Sequence, residues 1–110
     1  MKKLAHVIFC LLALAVMAGV VFGQGTTSRI TGVVHDKNGA AVAGATVTLT
    51  NDANGISLTT QTTDSGSYTF DLIQVGSYTL LVEKQGFKKF QSAHNVANVN
   101  QPLTVNATCS

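Results

Sequence analysis

The 110-residue sequence contains no tryptophan, a single proline and two cysteines, and only 11% of its residues are charged. Each shortage removes a class of answer. With no tryptophan, two tyrosines and five phenylalanines, little flat aromatic surface is on offer for stacking a sugar ring or a base. Cys10 lies in an apolar stretch near the start, which leaves Cys109 alone in the rest of the chain. No internal disulfide can form there, so the fold must hold itself together by its core. Beyond Gln24 no window repeats apolar residues at helical spacing. Catalytic sets are equally thin. A zinc hydrolase needs two histidines and a carboxylate on the metal, with a glutamate as base. His35 and His94 are the only histidines past the opening stretch, Glu83 is the only glutamate, and no His-x-x-Glu occurs. No serine sits in Gly-x-Ser-x-Gly. The expectation is a protein that is not an enzyme and carries no cofactor and no metal.

The opening stretch is legible in its own right. MKKLAHVIFCLLALAVMAGVVFGQG places Lys2 and Lys3 before an uncharged run from Leu4 to Val21, followed by small residues. That order is the basic, apolar and cleavage regions of a secretory signal peptide, with Val21 and Gly23 small enough for the positions a signal peptidase reads. Residues 1–23 are therefore expected to be removed, residues 24–28 to be a short linker, and residues 29–110 to be one domain. An uncleaved anchor is the alternative, because about 18 apolar residues can just span a bilayer; the glycines at its end and the lack of a basic stop-transfer cluster favour cleavage. The chain is thus expected to be exported, to the periplasm or outer membrane, or secreted. Without the leader, Arg29, Lys37, Lys84, Lys88 and Lys89 balance Asp36, Asp52, Asp64, Asp71 and Glu83, for a net charge of zero. Nucleic-acid binding loses its main source of affinity, and no nucleic-acid partner is expected.

What remains reads as strands. ITGVV (30–34), ATVTLT (45–50), ISLTTQTT (56–63), SYTFDLI (67–73), SYTLLVEK (77–84) and LTVNAT (103–108) are rich in β-branched and aromatic residues and are divided by turn signals such as DKNG (36–39) and NDANG (51–55). Residues 91–101 read as a strand plus an irregular connection. Turns about every 8–12 residues predict an all-β sandwich of six to seven strands. The phrase Gly-Ser-Tyr-Thr recurs at 66–69 and 76–79. Alternation puts Tyr68, Phe70 and Leu72 on one face of their strand, and Tyr78, Leu80 and Val82 on one face of theirs. Both phrases are strand entries opening with an inward tyrosine whose hydroxyl must find a partner.

The ordered run ITGVVHDKNGAAVAGATVTLTN, followed by TTDSGSYTFDLIQVGSYTLLVEKQGFKKF, resembles the carboxypeptidase regulatory-like domain. That family has a transthyretin-like (prealbumin-like) Greek-key β-sandwich with a carbohydrate-binding-like fold. The resemblance covers about residues 29–108, and its recurring glycines and alternating apolar residues are fold positions that name no reaction. In some metallocarboxypeptidases such a domain follows the catalytic one. In many TonB-dependent outer-membrane receptors it comes first, directly after the signal peptide, which is the order here. The resemblance therefore implies a non-catalytic accessory domain at the front of an envelope receptor, with the abrupt ending at ATCS suggesting a fragment. A carbohydrate-binding module of the same fold is the first alternative, and a regulatory piece of a metallocarboxypeptidase the second. The implied partner is a protein or glycan of the cell envelope, and contact with a membrane would come only through a downstream barrel. Phe87, Lys88, Lys89 and Phe90, two aromatics interleaved with cations, form the candidate contact patch.

Overall fold

The computed structural model describes residues 26–110; the leader and its cleavage point lie outside them. Eight strand segments follow one another, and no helix occurs among the described residues: β1 (Thr27–Asp36), β2 (Thr46–Asn51), β3 (Ser57–Gln61), β4 (Ser67–Gln74), β5 (Gly76–Glu83), β6 (Phe90–Ala97), β7 (Leu103–Thr104) and β8 (Ala107–Cys109). They form two sheets. One has β1 at its centre, with β4 antiparallel on one side and β7 and β8 parallel on the other; the second runs β3-β2-β5-β6. The sandwich expected from the strand spacing is what the chain forms, and ITGVV, ATVTLT and both Ser-Tyr-Thr segments lie in strands.

The core lies between the sheets because alternate residues of each strand point there. β2 alternates half-buried threonines with buried Val47 and Leu49, and β5 alternates in the same way around Tyr78, Leu80 and Val82. Ile30 and Val34 of β1 meet them from the other sheet, and all but Tyr78 are fully excluded from solvent. Each such aliphatic side chain contributes about 2 kcal/mol on burial, enough in sum to stabilise a domain without a disulfide. Cys109 is part of this core, and burial pushes its thiol pKa up.

Segments β7 and β8 are one strand with a break in it. Leu103 pairs with Ile30 and Ala107 with Val34, the same register on both sides of the gap. A parallel ladder would carry a bond from Val33 N–H to the Val105 carbonyl at this point. Instead Val33 N–H donates to the Asn106 side-chain oxygen at 3.0 Å, and the Tyr68 hydroxyl donates to the Val105 carbonyl. Gly32 makes room: a Cβ there would sit 1.9 Å from the Val105 oxygen and 2.7 Å from the Tyr68 oxygen. Side chains from two other positions stitch the gap closed.

One expectation fails in β4. Tyr68 and Phe70 point inward as the alternation requires, but Leu72 is 81% exposed and Ile73 is buried in its place. Ser28 pairs with Ile73 while Ile30 pairs with Phe70, so β4 carries one extra residue in that interval. This is a β-bulge, and Leu72 sits in it with φ of 53°, which turns its side chain out of the sheet's alternation. β6 contains the same device, with His94 at φ 59° between Ser92 and Asn95.

Candidate functional site

Phe87, Lys88 and Lys89 lie in the β5–β6 connection and are exposed, whereas Phe90 opens β6, is half-buried and packs against the core. The four therefore divide into an exposed group of three and an anchor. Beside them is an open depression of about 320 Å³ lined by Thr46, Glu83, Lys84, Gln85, Phe87 and Lys89. Lys89 reaches Glu83 at 4.0 Å in an exposed ion pair, and Lys88 N–H donates to the Ser110 carbonyl at 2.8 Å. That backbone bond ties the connection to the end of the other sheet and closes this flank.

The two tyrosines are consumed by the fold. Tyr78 donates to the Gln74 carbonyl at 2.6 Å, Tyr68 holds the Val105 carbonyl, and Tyr68 packs edge-on against Phe70 with ring centroids 5.9 Å apart. The turn residues are likewise occupied. Asp36 accepts from the backbone N–H groups of Asn38 and Ala40, Asn51 from that of Ala53, and Asn54 from that of Ile56. Among the described residues no three of His, Cys, Asp and Glu converge as metal ligands would.

One polar cluster stands on the outer face of the second sheet. Asp52 accepts from the Ser77 and Thr79 hydroxyls, each at 2.8 Å. Those bonds, Thr79 first, hold its carboxyl below the usual carboxylate range, and the nearby His94 adds a smaller pull. The two bonds join β5 to the β2–β3 turn.

The feature that strand alternation did not reveal is the opposite flank. Along β3 and the residue flanking each end, the inner face runs Ile56, Leu58, Thr60, Thr62, and the first two are 62% and 45% exposed while Thr62 is buried. Thr62 is fixed by its hydroxyl, which donates to the Val42 carbonyl and accepts from Ala45 N–H. The sandwich is thus shut at one end of β3 and gapes at the other. The gap is a cleft of about 210 Å³ whose apolar walls are Ile56, Leu58, Leu72, Ile73 and Tyr78, with Asn51, Asn54 and Gln74 at its rim. A leucine gives no warning that it will occupy a left-handed bulge position, since that conformation favours glycine or asparagine.

A family model described as the carboxypeptidase regulatory-like domain matches residues 29–110. Comparison with curated proteins finds no match. Solved structures share the fold. A proposed carbohydrate-binding protein from Bacteroides uniformis superposes with a TM-score of 0.62 at 19% identity, over 77% of this chain and 42% of that one. Chlorocatechol 1,2-dioxygenase from Pseudomonas putida gives 0.63 at 11% identity, over 77% of this chain and 60% of that one. Catechol 1,2-dioxygenase from Pseudomonas arvilla gives 0.62 at 12%, over 78% and 52%. The chain spans about two fifths to three fifths of these proteins, and at such identities the likeness is one of fold.

Proposed function

Since the chain belongs to the carboxypeptidase regulatory-like domain family, we propose that it is an exported, non-catalytic contact domain of the cell envelope. It would stand at the front of a receptor of the TonB-dependent kind. The observation that carries this reading is the way exposed chemistry is distributed. Both tyrosine hydroxyls are tied to backbone carbonyls, and Asp52 bridges strand β5 and the β2–β3 turn through Ser77 and Thr79. Three of the exposed large apolar side chains, Ile56, Leu58 and Leu72, by contrast, meet at one cleft, while Val75, Phe87, Val96 and Val99 lie apart from it. Solvated faces scatter their apolar residues; contact surfaces group them. The basic leader supports export, and its position directly before the domain supports the receptor arrangement.

Fractionation of cells of the source organism, probed with an antibody against residues 24–110, tests the reading. A large band in the outer-membrane fraction is expected. A small band confined to the cytoplasm would overturn it, and a small band outside the cytoplasm would leave a free-standing exported domain in place of the receptor. The protein with added zinc is also expected to hydrolyse no peptide, measured as release of free amine.

A second reading, a glycan-binding module, has one observation in its favour: a neighbour in fold is itself a proposed carbohydrate-binding protein. A glycan array separates the two, because the contact reading expects no saturable sugar binding.

A further inference from the structure

Resting on the contact reading, we infer that β3 is the docking edge, and that it takes up an extended, uncharged segment of a partner protein as an added strand. The argument begins with edges. An unpaired edge strand invites pairing, and proteins blunt such edges with bulges, charges, proline or a covering element. β4 carries the Leu72 bulge and Asp71, β6 carries the His94 bulge, and the last strand is preceded by Pro102 and broken at Val105–Asn106. β3 has none of these. Its five residues, Ser57 to Gln61, include no charge and no proline and keep an unbroken register with β2.

Hydrogen bonding shows which groups are free. Asn51 N–H donates to the Ile56 carbonyl and Thr62 N–H to the Ala45 carbonyl. In an antiparallel pair the bonded residues alternate, so Leu58 and Thr60 face β2 as well, and Ser57, Thr59 and Gln61 aim their N–H and C=O groups away from the sheet. Those six groups find no partner among the described residues. An added strand would satisfy them. Its inward side chains would fall over Ile56, Leu58 and Leu72, and the cleft of about 210 Å³ admits one or two of them.

Size and charge select the occupant. Five residues of edge span about 17 Å, and a strip that long and about 10 Å deep covers on the order of 200 Å², well short of the roughly 800 Å² per partner that a stable dimer buries, so a second copy is disfavoured. The strand itself is neutral, and the cleft lining carries no charged residue. A segment alternating apolar and small polar residues, without charge, is the complement.

The probe is a synthetic peptide copying residues 45–51, with two serines added at each end for solubility and both ends capped so that it carries no charge, since ATVTLTN already pairs with the other side of β3. Titrated to millimolar concentration into isotope-labelled protein, it should shift the amide resonances of residues 56–61 and 72–74 and slow exchange of the Ser57, Thr59 and Gln61 amides. Thr59→Pro removes one outward N–H without touching a β2 bond and should weaken binding at least tenfold. Leu58→Lys keeps every backbone group, puts a charge at the cleft mouth and should weaken it similarly, which guards against a Thr59→Pro variant that fails to fold. No shifts at millimolar peptide, shifts elsewhere, or binding indifferent to both variants would overturn the proposal. Chemical cross-linking in the envelope distinguishes this from failure of the contact reading. If both variants still cross-link like the unaltered protein, β3 is refuted and the contact function stands; if the unaltered protein cross-links to nothing, the contact function falls with it.

Discussion

Two of the places where regular pairing stops in this sandwich are handled in opposite ways. At Val105–Asn106 the parallel ladder breaks inside a sheet, and the orphaned groups are met by the Asn106 amide and the Tyr68 hydroxyl. At the outer edge of β3 the ladder ends with six groups facing away from the sheet and apolar side chains uncovered beside them. Backbone polar groups must be paired somewhere, with protein or with water. A break closed by dedicated side chains is a demand of the fold. An edge left open, when the other edges are guarded, is a surface kept for something else.

Changes at the seam should therefore cost stability, and the largest cost belongs to Gly32→Ala. The added methyl would meet the Val105 oxygen at 1.9 Å and the Tyr68 oxygen at 2.7 Å, and the first of these is backbone that cannot swing aside. Overpacking and loss of the tyrosine bond together should destabilise the protein by about 3 kcal/mol, read as a lower urea midpoint. Survival of Gly32→Ala with an unchanged midpoint would mean the seam is looser than its geometry.

Tyr68→Phe comes next. It keeps the ring against Phe70 and deletes only the bond to Val105, at a cost of about 1–2 kcal/mol. It also carries a pH signature. Burial pushes the Tyr68 hydroxyl from 10.0 to about 12, so between those values the folded chain holds a proton that the unfolded chain has released. Stability from this group is complete below pH 10 and is lost as pH rises through 12. Thermal unfolding measured across that window should show a decline that Tyr68→Phe removes. Asn106→Ala should cost less, about 1 kcal/mol or below, because water can reach Val33 N–H at that exposed position.

The comparison also explains what was legible. Tyr68 and Tyr78 could be read as inward strand residues with bonded hydroxyls, because alternation and the cost of a buried hydroxyl are local facts. That Gly32 serves Tyr68 could not, since the two meet only when β4, β1 and the last strand lie side by side. The candidate patch at Phe87–Phe90 is legible only as residue types, and tertiary packing sets Phe90 against the core. ISLTTQTT reads as a strand, and β3 forms within it. Its openness on both faces depends on how far the opposing sheet extends, and no pattern in ISLTTQTT records that. Leu72 was the least accessible of all: a two-residue period continues straight through a bulge, and only the register of β1 against β4 reveals the extra residue.

Leu72 supplies the smallest stability effect and the sharpest contrast in sign. A leucine held at φ 53° is strained by roughly 1–2 kcal/mol relative to a residue indifferent to that conformation. Its side chain is 81% exposed, so little burial offsets the strain. Leu72→Gly should relieve the strain at the expense of about 0.5–1 kcal/mol of extra chain entropy in the unfolded state, for a net gain of about 0.5 kcal/mol seen as a slightly higher melting temperature. At the seam every change away from the present residue loses stability; at the open flank this one gains it. If Leu72 serves the cleft and not the fold, the same Leu72→Gly protein should bind the strand peptide more weakly. A gain in stability with peptide binding unchanged would leave the leucine without a role at the cleft and reduce the open flank to the bare edge of β3.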